Sequence, residues 1–115
     1  MLSLKNFPIV FAAFIFSFVL ISSSAQAGNL TLINQSGFEI HAIYISDSGT
    51  DDWEENIIEG YMLPSGNQMN VEIQGGYQQF DLLIEDGNGN SEDYRDFPGR
   101  TTSITFKGGG QSTYR

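Results

Sequence analysis

One histidine and no cysteine bound the chemistry open to this chain. A Ser-His-acid nucleophile would have to recruit His41, yet no sharp nucleophile turn of the G-x-S-x-G kind is present. His41 alternates with Ile40 and Ala42, which puts it on the polar face of a strand, the place of a surface side chain rather than a base. Zinc needs thiolates or several imidazoles and finds neither. Paired carboxylates (Asp51/Asp52, Glu54/Glu55, Glu92/Asp93) have the chemistry of a glycosidase, but a domain of this size has little room for a substrate cleft beside its core. The chain is therefore expected not to be an enzyme.

Carboxylates also hold hard cations. Asp47-Ser48-Gly49-Thr50-Asp51-Asp52 gathers carboxylates, hydroxyls and free carbonyls into six residues, the oxygen set that calcium prefers. Asp47, Asp51 and Asp52 are the expected ligands, and calcium the expected cofactor. The same stretch also reads as a helix cap with a solvated loop. Asp86-Gly87-Asn88-Gly89-Asn90 opens like a D-x-N-x-N calcium loop. Ser91 then replaces the glycine and Phe97 the bidentate Glu, so a hairpin turn is the better reading there.

The first acidic stretch must be positioned by what flanks it. Phe38, Ile40 and Ala42 alternate with Glu39 and His41, after which Ile43, Tyr44 and Ile45 run together. A strand from Phe38 to Ser46 thus becomes apolar on both faces, and needs either a cover or a bulge. Asp51 and Glu54 have capping-box spacing, and Trp53 and Ile57 lie four residues apart with Ile58 beside them. This spacing predicts a short helical lid over 51–58. Trp53, packed over Ile43 and Ile45, and Tyr44 are the expected structural anchors, an exposed, ligand-stacking Trp53 being the alternative.

Further strands are read at 29–34, 69–74, 80–85, 92–97 and 102–106, separated by Gly and Pro turns. Asn34-Gln35-Ser36-Gly37 is a turn that would join the first two strands as a hairpin. The expected fold is all-β: a small antiparallel β-sandwich or open barrel of about six strands with one short helical lid.

Asn34 to Ile58 resembles small exported bacterial domains of unknown function. They share a turn-G-[FY]-x-I-x-x-[IL]-Y-[IV]-S-x-S start (here Gly37, Phe38, Ile40, Ile43, Tyr44, Ile45, Ser46, Ser48). A D-x-W-x-E-[ND]-x-[LI] continuation follows (Asp51, Trp53, Glu55, Asn56, Ile58). Leu63-Pro64-Ser65-Gly66, Phe80-Asp81-Leu82, Ile84-Glu85-Asp86-Gly87 and Tyr94-Arg95 extend the likeness over most of residues 30 to 106. Glu54 departs from it, standing where glycine is usual. The resemblance implies export and a β-rich fold, and brings no activity or site residues.

Export is also read from the start of the chain. Lys5, an uncharged run of 13 residues from Ile9 to Ile21, and Ala25-Gln26-Ala27 form a secretory signal peptide over 1–27. The apolar run falls short of the ~20 residues of a spanning helix. A β-sandwich domain over 28–107 and a flexible tail over 108–115 would follow, in the periplasm or outside the cell.

Removing 27 of the 115 residues leaves four basic against 14 acidic side chains, a net charge of −10. Such a charge repels nucleic acid and anionic lipid, and favours a basic protein or peptide as partner. The leading expectation is a non-catalytic exported binding module for a protein or peptide, with calcium assisting. The alternatives are a small periplasmic inhibitor or immunity-type protein, or an envelope structural subunit.

Overall fold

Two sheets enclose one apolar core, and the strand residues that alternate in sequence supply both walls of it. The structure, a computed structural model, describes residues 27–115; the signal peptide expected over 1–27 lies, but for Ala27, outside the described residues. The strands are β1 (Ala27–Asn34), β2 (Ile40–Asp47), β3 (Gln68–Gln74), β4 (Gln79–Asp86), β5 (Ser91–Pro98), β6 (Ser103–Gly108) and β7 (Gln111–Tyr114). Sheet A has the order β3-β1-β6-β7 and sheet B the order β2-β4-β5. All pairings are antiparallel except β1 with β6, which is parallel. Among the described residues no helix is long and apolar enough to cross a membrane.

Leu30, Leu32, Val71, Ile73, Ile104 and Phe106 project from sheet A into the core, and Ile43, Ile45, Phe80, Leu82, Ile84, Tyr94 and Phe97 meet them from sheet B. The rings of Tyr94 and Phe106 touch across the interface with centroids 5.0 Å apart. Each such side chain contributes roughly 1.5–3 kcal/mol by leaving water. The Asp86–Asn90 turn joins β4 and β5. Asp86 Oδ1 accepts from the Asn88 and Asn90 amides at 2.8 and 3.0 Å, so the turn satisfies its own carboxylate.

The helical lid over 51–58 is not there. Residues 51–55 take no regular structure, Asn56 bridges to Tyr44 and 57–60 form a turn, and the segment runs along the free edge of β2. The Glu54 amide donates to the Ile45 carbonyl (2.7 Å) and the Ile57 amide to the Ile43 carbonyl (2.8 Å). Asn56 Oδ1 accepts from the Ile43 amide at 3.0 Å, and Leu63 exchanges a pair of 2.9 Å bonds with Ile40. Eight residues are too few for a helix to nucleate at low cost, whereas an open strand edge offers them backbone partners at once. Asp51, the expected cap, has φ 53°, and turns the chain instead. Residues 54–63 form a strap closing one edge of sheet B. The bulge also exists, as a register shift between Ile40 and Ala42.

Two further expectations change. β1 and β2 lie in different sheets, so Gln35–Glu39 is a crossing rather than a hairpin loop. Asn34 holds that crossing: fully buried, its Nδ2 donates to the Phe38 and Leu63 carbonyls, both at 2.8 Å, while its Oδ1 accepts from the Ser36 amide at 2.9 Å. Residues 111–114 of the expected flexible tail are β7, the seventh strand, where the count from sequence was about six. Gly108, Gly109 and Gly110, all at positive φ, make the tight return that brings β7 beside β6.

Candidate functional site

A polar cluster sits on the face of sheet B turned away from the core, and it begins with a buried charge. Asp81 alternates with Phe80 and Leu82, which alone would place it in water, yet it has no exposed surface. Cross-strand register pairs it with Ser46, also fully buried, on that outer face. The loop after β2 folds down over both. Ser48 Oγ donates to Asp81 Oδ1 at 2.8 Å and the Gly49 amide to Oδ2 at 3.4 Å. From β5, the Asp96 amide donates to Oδ1 at 2.8 Å and Arg95 Nη1 to Oδ2 at 3.1 Å. Burial pushes the Asp81 carboxyl up, but the Asp96, Ser48 and Gly49 donors and the Arg95 charge outweigh it, holding the group below the usual carboxylate range.

Arg95 is the hub of this cluster. Its Nη1 also donates to Asp51 Oδ1 at 2.7 Å and its Nη2 to Asp93 Oδ2 at 2.8 Å. Its guanidinium lies over the Trp53 ring, 5.5 Å from the centroid, a cation–π arrangement. These acidic partners, Asp93 first and then Asp51, raise the already high Arg95 pKa, so the cation is permanent. Asp51 (φ 53°) and Asp96 (φ 67°) are the non-glycine residues with positive φ among the described residues, and both bond into this cluster.

The expected calcium ligands are therefore not brought together. Asp51 is committed to Arg95. Asp47 is exposed, and its carbonyl accepts from the Thr50 hydroxyl at 2.8 Å. Asp52 is exposed as well, its amide taken by Thr50 Oγ1 at 3.2 Å. Among the described residues no group of three or more His, Cys, Asp or Glu side chains converges as a metal ion requires. Trp53 is half-buried and lies outside the apolar core cluster, while Tyr44, also half-buried, bridges to Asn56 of the strap.

His41 is exposed, with its Nε2 3.0 Å from Glu39 Oε1. It rests against the β4–β5 turn so closely that a Cβ on Gly87 would come within 2.7 Å of the ring. Phe38, Asp86 and Asn88 complete a shallow hollow there.

Among the described residues, the strap carries the most exposed large apolar side chains. Tyr61 is 68% and Met62 57% exposed, and Glu54, Glu55 and Glu59 of the same strap are exposed too. Tyr77 props the strap from beneath: its hydroxyl donates to Glu54 Oε1 at 3.0 Å, and burial together with that carboxylate pushes its pKa up to about 12. Reading from sequence missed both Asp81 and Arg95. A long-range ion pair leaves no local pattern, and only the sheet register puts residues 51, 81 and 95 together.

Comparison with protein-family models, with characterised proteins and with solved structures finds no match to this chain.

Proposed function

We propose that the protein is a non-catalytic, exported binding module that takes a basic, partly apolar protein or peptide on its strap. The adjacent exposed pair Tyr61 and Met62, within reach in sequence of Glu54, Glu55 and Glu59, carries this reading. A tyrosine and a methionine supply the adaptable apolar centre of an interface, and the carboxylates a rim that draws cations in. The strap is tied to β2 mainly by backbone bonds and by Asn56, which leaves the exposed side chains of Glu55, Glu59, Tyr61 and Met62 spare for a partner.

A peptide array scored for charge and hydropathy tests it. Basic peptides with one or two apolar residues should bind, less tightly at high salt, and Tyr61→Ser/Met62→Ser should lose them without a change in melting temperature. Equal retention of acidic peptides, or binding unaffected by the double substitution, would refute the assignment. Calcium is the accessory expectation, carried by Asp47 and Asp52; a cation drawing on Asp51 must compete with Arg95. Affinity in the ~10⁻⁴–10⁻³ M range of extracellular sites would be seen as a higher melting temperature in millimolar calcium than in chelator. Asp47→Asn and Asp52→Asn should remove that shift, and magnesium should not reproduce it.

A further inference from the structure

We infer that the free edge of β3 pairs with β3 of a second copy, joining two A sheets into one. Backbone phase comes first. The Thr31 amide donates to the Thr102 carbonyl at 2.9 Å and the Gln35 amide to the Phe106 carbonyl at 2.8 Å. Thr31 and Ile33 thus turn their backbone groups toward β6, leaving Leu30, Leu32 and Asn34 to face β3; the Asn34 amide indeed meets the Asn67 carbonyl at 3.0 Å. In the β1–β3 register Leu30 faces Val71 and Leu32 faces Met69, so these are the hydrogen-bonded pairs. Gln68, Asn70, Glu72 and Gln74 then direct their amides and carbonyls outward, with no backbone partner among the described residues.

The other edges are managed. The strap closes β2, and β7 is four residues long with Tyr114 packed edge-on to Phe97 of β5 at 5.7 Å. The pairings of β2, β5 and β7 each contain a register shift, whereas the seven pairs of β1 with β3 run without one. Gln68–Gln74 also has no proline or lysine, the devices that discourage edge pairing.

Charge selects the occupant. Glu72 is the only acidic residue in the strands of sheet A. Antiparallel pairing about a twofold axis at Val71 sets Glu72 opposite Asn70 of the second copy, and Gln74 opposite Gln68. No like charges meet, and all four outward-directed residues fall into hydrogen-bonded pairs. The carboxylates of sheet B lie in the other layer, and none enters the new strand pair.

Sedimentation velocity of the purified protein across a concentration series reads the outcome. A reversible dimer is expected, strengthened by salt because both copies are anionic. Asn70→Glu, which places carboxylates opposite each other twice, should weaken it roughly tenfold. Adding Glu72→Lys to that variant should restore it. Glu72→Pro removes an outward amide that β1 does not use, and should abolish dimerisation while the melting temperature shows the fold intact. A protein that stays monomeric up to its solubility limit overturns the inference. So does a dimer indifferent to Asn70→Glu, or a monomer that instead binds an added extended peptide along this edge.

Discussion

Asp81 loses its water to the loop over it and recovers donors from two sides: Ser48 and Gly49 of that loop, and Asp96 and Arg95 of β5. Without Asp81, Arg95 keeps Asp51 and Asp93, and the cost falls on the Ser48, Gly49 and Asp96 donors that lose a buried charged acceptor, on the order of 1–3 kcal/mol. Asp81→Asn should destabilise the protein by that order in urea unfolding, and a loss under 1 kcal/mol would mean that the cluster is loosely held. Its titration has a definite sign. A carboxyl held below its unfolded pKa contributes stability that is complete above the ordinary carboxylate range and disappears as pH falls through its folded value. Asp86, held low by its own turn, acts in the same sense. The wild-type melting temperature should fall on the acid limb, and Asp81→Asn should flatten that limb. Trp53 belongs to the same cluster, shielding Arg95 rather than filling the core. Trp53→Ala should therefore cost about 1–2 kcal/mol, the upper range for a cation–π contact, and not the ~3–5 kcal/mol of a fully buried aromatic. Calorimetry separates the two. Residue types alone pointed to Trp53 and to the acidic loop, but they could not reveal that Arg95 gathers both, since Arg95 lies 44 positions from Asp51.

At the scale of elements, the strap does for β2 what a neighbouring strand would do. Asn56 is its staple, because one side-chain oxygen accepts from both the Ile43 amide (3.0 Å) and the Ile58 amide (3.2 Å). Asn56→Ala would leave the buried Ile43 amide without a partner, at about 1–3 kcal/mol. Hydrogen exchange should accelerate at Ile43, Glu54 and Ile57 and stay slow at Leu82 and Ile84; uniform acceleration would mean that strap and sheet open together. Alternation made β3, β4 and β6 readable before the structure, since Val71/Ile73, Phe80/Leu82/Ile84 and Ile104/Phe106 all point inward as their spacing demands. The strap defeated the same reasoning. Asp51, Glu54, Trp53 and Ile57 do have helical spacing, but local propensity is worth tenths of a kcal/mol per residue. An unsatisfied sheet edge outweighs it.

For the molecule as a whole, charge and sheet are sorted together. Glu72 is the only one of the 14 acidic residues in the strands of sheet A, so the other 13 belong to sheet B and the loops and strap around it. Repulsion on that side should be relieved by screening, raising the melting temperature between low salt and ~0.15 M, where the Debye length is about 8 Å. A melting temperature that fell instead would show that the Arg95 ion pairs outweigh the repulsion. The two-sheet division could not be read in advance, because strands of both sheets carry similar inward Leu, Ile and Phe, and the difference in charge emerges only once the pairing partners are known.

The parallel seam between β1 and β6 also orders events in time. Thr31 at the start of the described fold meets Ser103 near its finish, with β2 to β5 threaded between. A growing or emerging chain can form the β4–β5 hairpin early, but β1 has only β3 to lean on until residues past 103 are free. Loop closure over such a span is slow, and it makes the final assembly wait on the last strands. The export proposed above would gain from that delay, because a chain threaded through a narrow channel would not lock before its end is through.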